Sequence, residues 1–387
     1  MLDTPLEIAV TASTVLIGYH HVIFPKIASW AGRHPSAAPA STPRALAPTV
    51  SVVMPAHDEA ACIAAKIDNL AGQDYPADRL HVLIGCDGCT DDTVELARQA
   101  AARHPHMQID VIDFAVNRGK VRVLNDLVRR ARGTVLVLTD VSALLPANGI
   151  TRLADHFADP AVGAVGAGYR PAAGTTDGEQ AYWDYQRRIK AGESRLGGLI
   201  GAHGSCYAIR RNLHQPLEID TVNDDFIIPM RIALGGWRTL YDPGIVVQEL
   251  ATSPDATDFA RRIRIGRGNA QQLRQLLPRL SARRPGLAFA FLSGKAARVL
   301  MPFLMGFTWT GSAIAAASGA PAMLALFGLQ TAIYLLAALA TVLPALRRIG
   351  KVEAVRYLVT GHIASAIGAM QFVANRERGA WQRAAQT

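Results

Sequence analysis

Long apolar runs stand near both ends of this 387-residue chain and enclose a central region of different character. The first run extends roughly from Leu6 to Ile27, which is long enough to cross about 30 Å of hydrocarbon. Three more runs lie at 299–318, 322–346 and 355–374. Runs of this length predict membrane-spanning helices at both ends, with a separately folded region between them.

The charges beside these runs predict their orientation. Acidic Asp3 and Glu7 lie at the start of the first run, and basic Lys26, Arg33 and Arg44 follow it, which is the reverse of a cleaved signal peptide. Basic residues also lie just before the second run and between the third and fourth. We therefore expect an integral protein of a bacterial-type inner membrane with its central region in the cytoplasm. The course of the last run stays open, because four spans would leave the arginine-rich tail outside.

These features divide the chain into six segments. They are a transmembrane anchor (1–30), a linker rich in Pro, Ala and Ser (31–48), an α/β domain (49–250), an amphipathic basic region (251–298), C-terminal transmembrane helices (299–375) and a tail (376–387). The formal net charge is +9, and the arginines crowd beside the apolar runs, where anionic headgroups explain them. Membrane lipids are thus expected partners and nucleic acid is not. The oligomeric state stays open.

Strand and helix signals alternate in the α/β domain. Apolar, β-branched runs at 49–54, 81–86, 109–114 and 134–139 predict four buried strands, with helical patterns at 59–70, 91–103 and 121–132. Such alternation predicts a doubly wound, mostly parallel sheet. Ligands of these sheets bind outside the carboxyl ends of the strands, so the residues just after each strand are the candidates for a site.

Carboxylates follow three of the predicted strands. Asp58 and Asp91 each precede a helix, so helix capping explains them about as well as function does. Asp87 and Asp140 instead end apolar strands before a helix begins, which favours a polar cleft. Lys120 would supply a cation opposite them, although an exposed lysine at a helix start is the simpler interpretation.

Two further clusters carry charge. Asp224 and Asp225 are adjacent acids that could form a simple N-cap, but acids that repel each other in a cleft can keep one pKa high enough for base catalysis. Four arginines lie on a predicted short helix and cannot share one stripe. They are Arg261, Arg262, Arg264 and Arg267. Some would bind lipid and others could clamp a diphosphate, while a solvated basic helix is the alternative.

Taken in order, these motifs resemble those of the membrane-embedded family 2 glycosyltransferases, which include cellulose, hyaluronan and chitin synthases. Val52–Glu59 is similar to the family's opening strand and Pro-x-x-Asn-Glu, and Cys86–Asp91 to its Asp-Asp-Gly-Ser-Thr-Asp. Gly119-Lys120 and Asn125 match its Gly-Lys-x-x-x-x-Asn segment. Asp140 takes the first position of its Asp-x-Asp, Asn223–Asp225 falls on its Thr-Glu-Asp, and Arg261–Arg264 falls on its Gln-Arg-x-Arg-Trp.

The resemblance implies a GT-A-like fold and an inverting sugar transfer from a nucleotide-diphospho-sugar, such as a UDP-hexose or UDP-N-acetylhexosamine. The acceptor would be a polysaccharide or a lipid-linked saccharide at the inner membrane face. Asp225 would be the catalytic base, with Asp224 beside it, and Asp140 would hold Mg²⁺ or Mn²⁺. The implied donor-binding residues are Pro55, His57, Glu59, Asp87, Lys120, Asp140, Arg261, Arg262, Arg264 and Arg267.

The chain also departs from the family pattern. Ser142 replaces the second metal-binding acid, and Ile265 replaces the tryptophan that stacks on the acceptor sugar. Cys86 replaces an acid and forms a C-x-x-C with Cys89, but no second pair completes a zinc site. Two alternatives therefore stay open. One is a transferase that adds a single sugar to a polyprenyl-phosphate carrier, and the other is a non-catalytic membrane scaffold that binds nucleotide-sugar.

Overall fold

The computed structural model describes residues 4–33, 39, 41–43, 46–172, 177–250 and 255–374, without the side chains of 177–182 and 255–258. Much of the predicted linker and the whole predicted tail lie outside the described residues. The chain divides into two compact units. The described residues within Met1–Ile27, Pro254–Pro278 and Ala288–Arg376 form the helical unit, and those within Ala28–Ser253 and Arg279–Leu287 form the α/β unit.

The strands and helices follow the apolar patterns of the sequence closely. The strands are β1 (Val50–Ala56), β2 (Leu80–Asp87), β3 (Gln108–Phe114), β4 (Val135–Thr139), β5 (Ala143–Leu144), β6 (Val162–Arg170), β7 (Cys206–Arg210) and β8 (Arg238–Glu249). The helices are α1 (Pro5–Gly18), α2 (Phe24–Ala31), α3 (Ile63–Ala71), α4 (Thr93–Ala102), α5 (Lys120–Arg130), α6 (Gly149–Asp155), α7 (Asp177–Leu196), α8 (Asp224–Leu234), α9 (Asp255–Leu276), α10 (Pro285–Ala290), α11 (Ala297–Ala317), α12 (Pro321–Val342), α13 (Pro344–Arg347) and α14 (Gly350–Val373).

The α/β unit is built on one mixed sheet of eight strands in the order β3-β2-β1-β4-β7-β6-β8-β5. The four strands expected from the sequence are parallel neighbours, with Val52 opposite both Val82 and Val137. The other half departs from the parallel pattern, because β7 runs antiparallel to β4 and to β6. The sheet is therefore open and wound with helices, as expected, but it is mixed beyond β4.

Burial explains why the central strands read as continuous apolar runs. Every residue of β1, β2 and β4 is buried. The prediction of a buried strand was wrong for β3, which lies at the edge of the sheet and has no buried residue. Strands covered on both faces need apolar side chains at every position, which removes the alternation typical of half-exposed strands. Since the parallel strands β1, β2 and β4 end at the same edge of the sheet, Ala56, Asp87 and Thr139 bring the segments that follow them together at that edge.

The long apolar helices lie mainly in the helical unit. Among the described residues, three helical stretches are long and apolar enough to cross a membrane: Pro5–Ala31, Pro285–Ala317 and Pro321–Val342. They match three of the four apolar runs. The fourth run forms α14, which is not among them, and its first turns carry Lys351, Glu353 and Arg356.

Candidate active site

Asp140 lies directly after β4, where the strand leaves the sheet. Its backbone N–H donates to Ser205 O over 3.3 Å, and its side chain is 42% exposed. Ser205 precedes β7, the antiparallel neighbour of β4, so this bond ties the turn after β4 to the loop before β7. The carboxylate is thereby held at the sheet edge with access to solvent.

Lys120 begins α5 and bridges two acids. Its Nζ lies 3.1 Å from Asp140 Oδ1 and 3.5 Å from Asp224 Oδ1. Burial disfavours its charge, but the nearby Asp140, Asp224 and Asp225 outweigh that effect and raise the Lys120 pKa above its ordinary value. Lys120 is therefore a fixed cation rather than an exposed helix-start lysine.

Asp224 and Asp225 form the first turn of α8, where Asn223 is the N-cap residue without a side-chain cap bond. Acids in the first turn are favoured by the positive end of the helix dipole. A Cβ atom placed on Gly204 would lie 3.4 Å from both Asp140 Oδ2 and Asp225 Oδ2, so the two carboxylates face the same glycine. The acid after β4 and the acid of α8 thus border one space.

Asp87 ends β2 and is completely buried. Its two carboxylate oxygens accept the backbone N–H groups of Arg118 and Gly119, each over 2.8 Å. Gly119 directly precedes Lys120, so Asp87 fixes the loop that delivers this lysine to Asp140. Gly88 has a φ of +60° and no room for a Cβ, which would lie 2.2 Å from Asn117 N, so the turn after β2 packs tightly against the same loop.

The residues after β1 hold that turn from the other side. His57 donates from Nδ1 to Asp87 O over 2.8 Å and receives the Asn117 side-chain amide at Nε2 over 3.2 Å. Asp58, with a left-handed φ of +53°, accepts from Thr90 N over 2.7 Å. Asp58 therefore joins two loops and does not cap α3, which settles the alternative left open by the sequence.

Asp91, the other predicted cap, lies one residue before Asp92, which is the N-cap residue of α4. Asp91 Oδ1 accepts the Thr93 N–H over 3.0 Å at the start of α4, and its Oδ2 accepts the Ala60 N–H over 3.1 Å. Asp91 is thus a structural residue of this edge.

Two of the predicted donor-binding residues lie in or just after β1. Pro55 lies within β1, whose residues are all buried. Glu59 follows the strand, and its backbone N–H donates to Thr93 Oγ1 over 2.7 Å.

The C-x-x-C acquires neighbours that the sequence does not suggest. His57, Asp58 and Cys89 each offer one atom that could bind a metal ion, and these three atoms lie within 4.8 Å of one another. His57 and Asp58 are, however, engaged by Asp87, Asn117 and Thr90 as described above. The cluster is accordingly part of the hydrogen-bonded network that shapes the loop after β2.

Lys66 is a site residue that sequence reasoning missed. It is fully buried on α3, and its Nζ donates to Thr139 Oγ1 over 2.9 Å and to Ala143 O. These two acceptors flank Asp140, so Lys66 holds the turn that presents this acid. Burial lowers the Lys66 pKa to about 8. The signal in the sequence is a lysine on the apolar face defined by Ile63, Ile67 and Leu70.

The structure does not place the four predicted arginines in the α/β unit. Arg261, Arg262, Arg264 and Arg267 all lie on α9, within the helical unit. There Gly266 and Gly368 allow α9 and α14 to approach closely, since a Cβ on Gly368 would lie 2.2 Å from Ile263 O. Arg262 stacks over the Tyr357 ring at 3.6 Å. Their role as diphosphate ligands stays a prediction.

Asp140 fits one hard divalent cation. A carboxylate that is partly open to solvent, completed by substrate phosphates and water, is the usual way in which proteins hold Mg²⁺. Ser142 in place of a second acid leaves room for such a shared arrangement. Hard oxygen ligands favour Mg²⁺ or Mn²⁺ over softer metals.

The order of these motifs on this fold defines a class of protein. Residues 47–268 match the family described as glycosyltransferase-like family 2, which is more than half of the chain. The chain belongs to this family, and its α/β unit is a GT-A-like glycosyltransferase domain.

Similar proteins in this class act on different sugars. The beta-monoglucosyldiacylglycerol synthase of Synechocystis is 25% identical over 220 residues, 53% of this chain and 45% of that protein. An N-acetylglucosaminyltransferase of Rhizobium meliloti is 24% identical over 265 residues, 62% of this chain and 60% of that protein. The chain spans about half the length of the curated relatives that it matches.

One solved structure is similar over nearly the whole chain. The mannosyltransferase PcManGT from Pyrobaculum calidifontis, in complex with GDP-Man and Mn²⁺, has a TM-score of 0.74 at 25% identity. The match covers 95% of this chain and 100% of that one. The similarity therefore extends beyond the α/β unit to the helices.

Proposed function

We propose that this chain is an inverting glycosyltransferase of the membrane. It would move a hexose or N-acetylhexosamine from a nucleotide-diphospho-sugar to a saccharide or lipid-linked saccharide acceptor at the cytoplasmic face. The observation that carries this proposal is the convergence of Lys120, Asp140, Asp224 and Asp225 at the carboxyl edge of the sheet. Acids and a cation at one solvent-accessible place suit the transfer of a sugar from a diphosphate, because the reaction needs a base and a positive charge near the leaving group.

Asp225 is the base in this proposal. Its carboxylate takes the proton of an acceptor hydroxyl while that oxygen forms a bond to the anomeric carbon. The bond from the anomeric carbon to the diphosphate oxygen breaks, and the nucleoside diphosphate leaves with the electron pair. Attack from the side opposite the leaving group inverts the anomeric centre, so an α-linked donor gives a β-linked product.

Lys120 and Asp140 serve the leaving group. A divalent cation held by Asp140 would supply charge neutralisation for the diphosphate. Lys120 stays protonated because three acids surround it, so it offers a permanent positive charge at the same place. Asp87 and Lys66 keep the lysine loop and the aspartate turn in position. Pro55, His57 and Glu59 are proposed to line the nucleotide side.

The sequence favours single addition over polymer synthesis. Ile265 stands where the synthases carry a stacking tryptophan. We infer one sugar added per acceptor. The arginines of α9, next to the apolar helices in sequence, are proposed to contact anionic headgroups or the donor diphosphate.

The test is a donor panel applied to the full chain in lipid nanodiscs. UDP-glucose, UDP-N-acetylglucosamine and GDP-mannose are each incubated with Mg²⁺ or Mn²⁺, and release of nucleoside diphosphate is followed with and without extracted membrane glycolipids. We expect metal-dependent release from at least one donor, faster with glycolipid, and a product one sugar larger. Binding of a donor without any turnover would support the scaffold alternative, and a ladder of product sizes would show polymer synthesis.

A further inference from the structure

Three aromatic rings form a cluster in the α/β unit that the reaction above does not use. Tyr169, near the end of β6, stacks on His203 with ring centroids 4.1 Å apart and planes at 19°. Trp183 of α7 lies 4.5 Å from Tyr169 and 5.2 Å from His203, centroid to centroid. All three side chains are partly exposed. We call Tyr169, Trp183 and His203 the aromatic wall.

The loop that carries His203 is fixed between the two acids of the site. At one end, Ala202 N donates to Asp225 O over 2.9 Å. At the other end, Asp140 N donates to Ser205 O over 3.3 Å. Gly204, between them, is the glycine that both carboxylates face. The loop that carries His203 of the aromatic wall therefore borders the space in which an acceptor hydroxyl would meet Asp225.

The imidazole of His203 also gives the aromatic wall a polar group, and its hydrogen bonds fix which nitrogen carries the proton. Ser205 N donates to His203 Nδ1 over 3.2 Å, and Ser205 Oγ lies 2.9 Å from the same nitrogen. Since Nδ1 accepts, the neutral ring carries its proton on Nε2. A flat aromatic face beside an N–H donor suits a ligand with an apolar face and a hydroxyl rim.

A pyranose ring has this combination. Its axial C–H bonds form an apolar face that attracts the negative face of an aromatic ring, and its hydroxyl groups form the rim. An isoprenoid phosphate has an apolar chain and a charged phosphate, but no rim of hydroxyl groups. The polymer-forming relatives are expected to use a tryptophan at the position of Ile265, and this chain has three rings elsewhere, on β6, on α7 and in the loop before β7.

Building on the proposed function, we propose that the aromatic wall of Tyr169, Trp183 and His203 binds the pyranose ring of the acceptor. The acceptor is thus a glycoside, and not a bare lipid phosphate. Trp183 and Tyr169 supply the stacking surface, and His203 orients a ring hydroxyl toward Asp225.

Binding is tested without turnover by saturation-transfer NMR on the full chain in nanodiscs. The probes are methyl β-D-glucoside, methyl β-D-galactoside, methyl α-D-mannoside and methyl N-acetyl-β-D-glucosaminide, with farnesyl phosphate as the lipid-phosphate arm. We expect transfer to the ring C–H protons of at least one glycoside. Trp183→Leu, which keeps an apolar side chain and removes the aromatic face, should weaken that binding about three- to tenfold.

The controls separate stacking from folding and from donor binding. Trp183→Phe should retain most of the binding, and Trp30→Ala, at a tryptophan that is 68% exposed, should not change it. Nucleotide-sugar affinity should stay within about twofold in every variant that keeps the wild-type unfolding temperature. Because no transfer is needed, this measurement stands even if the donor panel shows no release.

Four results would overturn the proposal. The first is the absence of a signal from every glycoside, and the second is an equal signal from the wild type and Trp183→Leu. The third is binding of farnesyl phosphate alone. A fall in nucleotide-sugar affinity that matches the fall in glycoside binding would also reject it, because the wall would then belong to the donor.

Discussion

The ammonium group of Lys120 lies 3.1 Å from Asp140 Oδ1, so the first residue of α5 and the residue after β4 form one charge pair. If this cation stabilises the leaving diphosphate, Lys120→Met should lower kcat/KM for the donor by about 10²–10³-fold. Lys120→Arg should keep part of the activity, and Lys351→Met, at an exposed lysine, should keep all of it. Rates in nanodiscs provide the measurement, and a Lys120→Met enzyme within twofold of wild type would contradict the role.

Asp225→Asn replaces the proposed base by a side chain of the same shape that cannot take a proton. We expect the transfer rate to fall by about 10²–10⁴-fold while nucleoside diphosphate still binds. Single-turnover transfer and calorimetric titration separate the two effects. Asp78→Asn, in the short helix before β2, is the matched surface control. Near-normal turnover of Asp225→Asn would remove this residue from the mechanism.

Asp140→Asn should abolish the dependence of donor binding on divalent metal. The wild type is expected to bind UDP or GDP more tightly with Mn²⁺ than with chelator, because Asp140 and the diphosphate share the cation. Ser142→Asp restores the second acid of the Asp-x-Asp pattern and should strengthen metal binding. Nucleotide titrations with Mn²⁺ and with chelator test both variants, and full wild-type activity in excess chelator would exclude the metal.

Asp87→Asn should loosen the loop that delivers Lys120. The buried carboxylate accepts two backbone N–H groups, whereas a buried amide oxygen leaves one of them unpaired, at a cost of about 1–3 kcal/mol in the free energy of unfolding. Hydrogen exchange should accelerate at the Arg118 and Gly119 amides. Asp113→Asn on β3, where the carboxylate is 44% exposed, is the control. Unchanged exchange at both amides would show that Asp87 does not hold the loop.

Lys66 should make stability depend on pH. Its pKa is lowered to about 8 in the folded chain from 10.5, so between these values the unfolded chain binds more protons and the free energy of unfolding rises with pH. Lys66→Met should remove this rise, which amounts to about 3 kcal/mol from pH 8 to pH 10.5. Denaturant unfolding of both proteins across this range tests it, since their difference cancels the other groups. Parallel curves would contradict the buried cation.

The sequence by itself determined the strands that read as continuous apolar runs. The strands β1, β2 and β4, the helices between them and three long apolar helices follow from patterns of burial that are local in the chain, whereas β3 is an edge strand without a buried residue. Asp140 could be singled out for the same reason, because an acid that ends a buried strand is conspicuous. The antiparallel direction of β7 could not be predicted, because its pairing with β4 and β6 depends on where a segment distant in sequence packs.

Only the tertiary structure decided what the polar residues do. Asp58 and Asp91 both precede a helix, yet Asp58 accepts from Thr90 in another loop, whereas Asp91 accepts locally from Thr93 N and also from Ala60 N after β1. The contacts of Lys66 and of the aromatic wall could not be predicted, since the residues that make them are far apart in sequence. Apolar periodicity indicates which residues of a strand or helix are buried. A site depends on the distances between side chains from different segments, and these distances are fixed only when the sheet is packed.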